Sequence, residues 1–191
     1  MEHFGAPCLT RLRLLLVACG CTAVLAAVPG HAATLLTPSF SATAVEPLQF
    51  GTIVTSGGGT VTVAPNGSIS DNGVVPVSGH PGAPAEFMLS YSKAQLDLFA
   101  YQLIFQITLQ ATAAESAGQV QGTLSGLTTD LPGYSAISPG QTLTYTLPYC
   151  ANPTCTVTFH VGGTLNVTSG GGGAVLTFPL AVMASVTAVL E

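Results

Sequence analysis

The sequence predicts an all-β fold, a single antiparallel β-sandwich that follows an N-terminal export leader. Three observations predict it. Apolar and polar residues alternate with period two wherever the patterning is strong, glycine-containing turn sequences interrupt the chain at short intervals, and no long stretch carries a helical repeat.

The leader comes first. Residues 1–13 hold Arg11 and Arg13, and residues 14–28 are an apolar run too short and too rich in small residues to span a bilayer. Pro29 and Gly30 break the run. Gly30 and Ala32 then place small residues at the two positions a signal peptidase inspects, so cleavage is expected between Ala32 and Ala33. Leu16-Val17-Ala18-Cys19 also fits the short pattern of a lipid-modified cysteine. Only five residues separate Arg13 from Cys19, however, and the apolar run continues past it, so a cleaved signal is the stronger reading. The expected organisation is a signal peptide over residues 1–32, a mature extension over 33–45 and a sandwich domain over 46–191.

In the extension, Leu36, Pro38, Phe40, Ala42 and Ala44 share one parity, a weak strand pattern that Pro38 limits further. Strand candidates follow at 60–64, 73–77 and 85–89. The strongest begins at Phe99, where Phe99, Tyr101, Leu103, Phe105, Ile107 and Leu109 alternate with Gln102, Gln106, Thr108 and Gln110, as a half-buried strand requires. Further candidates lie at 143–147, 156–161 and 164–167. At the end, Leu176, Phe178, Leu180, Val182, Ala184, Val186, Ala188 and Leu190 form one apolar face, a long final strand or a bent pair. Turn chemistry bounds these segments at 57–59, Asn66-Gly67, Asn72-Gly73, Pro81-Gly82, Pro132-Gly133, Pro139-Gly140 and 170–173. Single helical turns at 92–98 and 111–118 are weaker expectations, and for the second a loop is the stronger reading. No linker divides the 159 residues left after the leader, which are enough for one buried core.

Charge excludes whole classes of partner. Beyond residue 32 the chain holds seven acids and a single basic residue, Lys93, for a net charge of −6. Such a surface cannot neutralise phosphates or grip an anionic membrane. Nucleic acid and nucleotide are therefore excluded as partners, and the cleaved signal is the only expected membrane contact. Few charges also leave little repulsion between copies, so self-association at high concentration is expected. A soluble domain coated with Thr, Ser, Gln and Asn is the plainer alternative. Lys93 itself is expected in a loop at the entrance to the strongest strand.

Cysteine usage points to an oxidising compartment. Cys8, Cys19 and Cys21 leave with the leader, and Cys150 and Cys155 remain as one even pair, expected to form a disulfide that clamps the turn between them. A redox pair or half a metal site would need further ligands.

Groups for catalysis are few. His160 lies in the alternating run 156–161 on the face of Thr156 and Thr158, where a solvated strand histidine is expected. His80, before Pro81-Gly82, reads as a turn residue. No Gly-x-Ser-x-Gly elbow occurs, and Gly122, Ser125 and Gly126 miss its spacing. Glu86, Asp97, Glu115 and Asp130 are the acids from which a carboxylate pair would have to be drawn. Asp71, Asn72 and Asp130 offer oxygen ligands suited to calcium without the spacing of a dedicated loop. The glycine runs lack the Lys-Ser/Thr of a phosphate loop. Asn66-Gly67-Ser68 and Asn166-Val167-Thr168 fit the glycosylation pattern, meaningful only in a host with that machinery. No catalytic residue, cofactor or metal is expected.

At Leu48, Phe50, Gly51 and Ile53, then Gly59, Thr60, Val61, Thr62, Val63, Pro65 and Gly67, the chain resembles a family of bacterial exported domains of unknown function. Ala85 and Phe87 fall where that family has its middle strand, and Val161, Gly162, Gly163, Thr164, Leu165 and Val167 are similar to its late Val-Gly-Gly-Thr-Leu motif. The resemblance spans about residues 45–189. Two features depart from it: the Cys150–Cys155 loop, and Gly173-Ala174-Val175 in place of a Tyr-x-Gly start to the last strand. The resemblance implies an immunoglobulin-like or pilin-like sandwich exported by Gram-negative bacteria, with a structural role at the cell surface and no catalytic residues.

Two functions follow as expectations. One is a structural subunit of a pilus-like or surface-layer assembly, with the 33–50 segment completing a neighbour's sheet. The other is a secreted binding module for carbohydrate or a surface protein, with Tyr134 and Tyr149 in the contact loops.

Overall fold

The computed structural model describes residues 37–94, 97–172 and 174–190, and every regular element among them is a strand. In chain order these are β1 (Ser39–Glu46), β2 (Ile53–Val54), β3 (Gly58–Val63), β4 (Ile69–Asn72), β5 (Val75–Pro76), β6 (Ala85–Ser92), β7 (Tyr101–Ala111), β8 (Ala114–Ala117), β9 (Val120–Thr129), β10 (Thr142–Cys150), β11 (Thr154–Ser169) and β12 (Leu180–Leu190). The expected leader, its cleavage point between Ala32 and Ala33, and Cys19 lie outside the described residues.

All pairings are antiparallel. A seven-stranded sheet is organised on β11, a three-stranded sheet runs β10-β7-β12, and β2 and β5 form a small ribbon. Val161 of β11 pairs with Ala85 of β6 on one side and with Thr129 of β9 on the other, while Gly163 faces Val63 of β3. β6 and β3 therefore follow one another along one edge of β11, β9 takes the opposite edge, and β1, β4 and β8 add outward from them. Gly162 sits at the handover. A Cβ there would collide with the Val63 carbonyl, so only glycine lets the backbones pass.

The core lies between the two larger sheets. β6 turns Ala85, Phe87, Leu89 and Tyr91 inward, and β7 turns Leu103, Phe105, Ile107 and Leu109 inward, all buried. Phe87 stacks on Phe159 of β11 with centroids 5.5 Å apart, and Phe105 lies 6.0 Å from Phe40 of β1, a contact that joins the sheets. Each such ring contributes roughly 1.5–3 kcal/mol by burial. Cys150 ends β10 and Cys155 is the second residue of β11, so their disulfide, with Cα atoms 6.0 Å apart, ties the small sheet to the large one as well as clamping the turn.

Several local expectations are corrected. The glycines at 162 and 163 do not separate two strands: 156–161 and 164–167 are parts of the single strand β11. The expected strand at 73–77 is shortened to Val75–Pro76, because Gly73 turns the chain with φ of 75° and hands it from β4 to β5. Within 111–118, Ala111 ends β7 and Ala114–Ala117 form the strand β8, which makes a hairpin with β9 through Gly118, whose φ is 61°. At 92–98 the described residues carry no helix, since Ser92 closes β6 and Asp97 and Leu98 are irregular. Phe99 is exposed and Tyr101 half-buried, so the buried parity starts at Leu103. The apolar face from Leu176 is realised as an irregular approach followed by one long strand. The sheet also begins at Ser39, inside the 33–45 stretch read as an extension, and Phe40 and Ala42 pack on the core. β9 escaped notice because Gly126 and Leu127 both stand opposite Gly163; this bulge, with φ of 55° at Gly126, reverses the alternation halfway along the strand.

Candidate functional site

Lys93 leaves the surface. It follows β6, is 7% exposed, and donates from Nζ to the carbonyls of Phe99 and, at 2.8 Å, Ala151. Its backbone N–H donates to the Pro153 carbonyl at 2.9 Å. The ammonium also lies 5.5 Å from the centroid of the Tyr101 ring, within reach of its negative face. The Tyr101 hydroxyl donates to Asp97 Oδ2 at 2.7 Å, and Asp97 Oδ1 accepts the Phe99 N–H at 3.1 Å. The Asp97 hydrogen bond raises the Tyr101 phenol above its ordinary value, with burial and the Asp97 charge adding to it. For Tyr91, burial comes first and the Asp97 charge second, again upward. This cation fastens the 93–100 loop to the disulfide loop between β10 and β11. Between residues 37 and 190 no other lysine or arginine occurs, so the described surface presents no basic side chain apart from histidine.

His160 and Asp130 form the one described pair with the geometry of an acid–base unit. Asp130 Oδ2 meets His160 Nδ1 at 2.7 Å while Oδ1 accepts the His160 backbone N–H. The buried Thr129 hydroxyl donates to the His160 carbonyl at 2.8 Å and accepts the Leu131 N–H at 3.2 Å. Residues 129–131 thus wrap the strand where β9 leaves β11. The histidine is half-exposed on the outer face, as its parity predicts, and Asp130 is the partner that sequence reasoning missed, because no pattern links residues thirty apart across a bulge. The register continues the row outward, with Glu86 opposite His160 and Glu46 opposite Glu86. An Asp–His pair is the base half of a nucleophilic triad. Among the described residues the ring is hydrogen-bonded to Asp130 alone, and no three His, Cys, Asp or Glu side chains converge as a metal site.

The other candidates are dispersed. Asp71 and Asn72 lie on β4, away from Asp130 in the pairing scheme. Asn66 Oδ1 accepts the Ser68 N–H at 3.0 Å, closing the turn at the tip of the β3–β4 hairpin. Asn166 donates to Ser125 Oγ at 2.9 Å, which engages Ser125 in a strand-to-strand contact. The Tyr134 hydroxyl accepts the Thr144 N–H at 2.9 Å, whereas Tyr149 is 63% exposed. One cavity of about 1060 Å³ opens at an end of the sandwich, lined by apolar side chains that include Leu48, Phe50, Ile53, Phe87, Leu176 and Phe178.

No curated protein and no solved structure matches this chain. Residues 40–174, from the second residue of β1 to beyond the end of β11, match a protein-family model described as a domain of unknown function, DUF4402, and with most of its length covered the chain belongs to that family.

Proposed function

We propose that the chain is a non-enzymatic structural subunit, exported from a Gram-negative cell and assembled from many copies at or beyond its surface. The observation that carries this reading is the character of the small sheet. None of the residues of β7, β10 and β12 is Asp, Glu, Lys, Arg or His, and β12 exposes Met183, Val189 and Leu190 by 56%, 43% and 57%. An uncharged sheet with exposed apolar side chains favours contact between copies. β1 adds to this, because an N-terminal strand docked at a sheet edge is the kind of element that copies exchange. Sedimentation of the purified chain over a wide concentration range tests the reading, together with electron microscopy of the cell surface with and without the chain. Oligomers or filaments are expected. A chain that remains monomeric at high concentration, with or without residues 33–45, ends the reading.

A second reading, a secreted binding module for carbohydrate or a surface protein, is favoured by the exposed ring of Tyr149 and by the apolar cavity, whose size suits a small ligand. A glycan array and a fluorescent apolar probe separate the two readings. Saturable binding abolished by Tyr149→Ala or by Phe178→Trp supports the module.

A further inference from the structure

We propose that β12 is an assembly edge whose occupant is β12 of a second copy, the two strands running antiparallel about a two-fold axis at Ser185. This deepens the structural-subunit reading and rests on it.

An open strand edge carries unpaired N–H and C=O groups, and proteins ordinarily guard such edges with charge, proline, bulges or shortness. Each of the other outermost strands is guarded. β1 carries Glu46 and a register shift beside it; β10 carries Pro148 and a shift between Leu147 and Cys150. β4 and β8 are four residues each and hold Asp71 and Glu115, and β2 and β5 are two residues each. The open side of β11 is closed at His160 by Asp130. β12 has no such device in its own sequence, and β1, which packs close beside it, is not paired with it. Its eleven residues include no charge and no proline, its register is unbroken, and among the described strands it is hydrogen-bonded to β7 alone.

The register fixes which groups face outward. One step beyond the Leu180–Ala111 pair, the Thr112 N–H donates to the Pro179 carbonyl. On the other side of β7, Leu109 accepts from Gly140. Bonding direction alternates along an antiparallel strand, so the odd-numbered residues of β12 bond to β7 and the even-numbered ones, from Leu180 to Leu190, turn their N–H and C=O outward. A ladder between two copies must join even residues to even residues. With the axis at Ser185, Ala184 meets Val186 of the second copy, Val182 meets Ala188, and Leu180 meets Leu190. On the solvent face Met183 meets Thr187, Ala181 meets Val189, and the two Ser185 side chains meet each other. Large stands opposite small at every position but the outermost, where two leucines meet, and the axis, where two serines meet, and no charges are opposed.

Burial agrees. The inward residues of β7 are fully buried, but Leu180, Val182, Ala184 and Val186 of β12 are only half-buried, and Ala188 and Leu190 are exposed. A second β12 covers the open flank and makes one six-stranded sheet, β10-β7-β12-β12-β7-β10.

Cross-linking tests the register. Ser185 pairs with itself at a position without hydrogen bonds, where Cα atoms approach to about 4.5 Å, close enough for a disulfide. Ser185→Cys chain from Ala33 to Glu191, free of Cys8, Cys19 and Cys21, treated with oxidised glutathione is expected to run as a covalent dimer without reductant, whereas the same chain with Ser185 intact and its Met183→Cys variant are not. Ala184→Pro removes an outward N–H used by no intramolecular bond, and is expected to weaken association at least tenfold by sedimentation with thermal unfolding little changed. Should that variant fail to fold, Ser185→Lys, which sets two ammonium groups face to face, reads the same edge. Oligomers that persist in both variants without a Ser185→Cys cross-link, or a cross-link at Met183→Cys in its place, overturn the β12 pairing and leave the subunit reading standing. An unmodified chain that is monomeric throughout overturns both.

Discussion

At Lys93 a single side chain joins two loops distant in sequence. Its buried ammonium satisfies the carbonyls of Phe99 and Ala151, and the Tyr101 ring lies within reach of it. Lys93→Met keeps the stem and removes the donors, so it is expected to lower stability by about 2 kcal/mol in a urea titration, most of it from the stranded carbonyls. Tyr101 gives a pH signature. Its phenol is harder to ionise in the folded chain than in the unfolded one, so the contribution is complete below the ordinary value of 10.0 and is lost as pH rises through the higher folded value. Melting temperatures taken from pH 8 to 12 are expected to fall less steeply above pH 10 in Tyr101→Phe than in the unmodified chain. The isolation of Lys93 was legible in composition. Its burial was not, because that depends on Ala151 and Pro153, brought close by a disulfide loop more than fifty residues away.

Among the elements, β11 organises the large sheet, contacting β6 and β3 along one edge and β9 along the other. Gly162→Ala drives a methyl group into the Val63 backbone carbonyl where neither strand has room to move, and is expected to cost more than about 3 kcal/mol or to abolish folding. Circular dichroism and a thermal scan read the result, with Gly67→Ala, whose added methyl meets nothing, as the control that shows the cost of the turn conformation alone. The strands were legible where one face is buried along the whole length. Alternation placed β6 and β7 within a few residues and found most of β12. It failed at β9, where one bulge inverts the parity, and at the centre of β11, where a glycine pair needed for close approach reads in sequence like a turn. β8 carries too few apolar residues to announce itself, and its pairing with β9 supplies the order that its composition lacks.

For the whole molecule, period-two patterning and glycine turns sufficed to specify a sandwich, because an all-β chain of this size has few other ways to bury alternating faces. The pairing of His160 with Asp130 was not legible, since it depends on which strands become neighbours. The scarcity of charge has a measurable consequence for association. Raising sodium chloride from about 50 to 500 mM is expected to change the association constant less than about twofold, because screening has little to act upon at an uncharged edge, while ammonium sulfate is expected to strengthen it. A steep rise with sodium chloride would point instead to repulsion between the acidic rows of Glu46, Glu86 and Asp130 on the two copies. Lys93 also governs how the folded chain meets digestive enzymes. Trypsin-like proteases cut after lysine or arginine, and between residues 37 and 190 they find a single such bond. Its side chain is buried and its backbone N–H is held by Pro153. The sandwich is thus protected by the rarity of cleavable bonds as much as by its stability, and the rate of the one remaining cut reports the opening of a single loop.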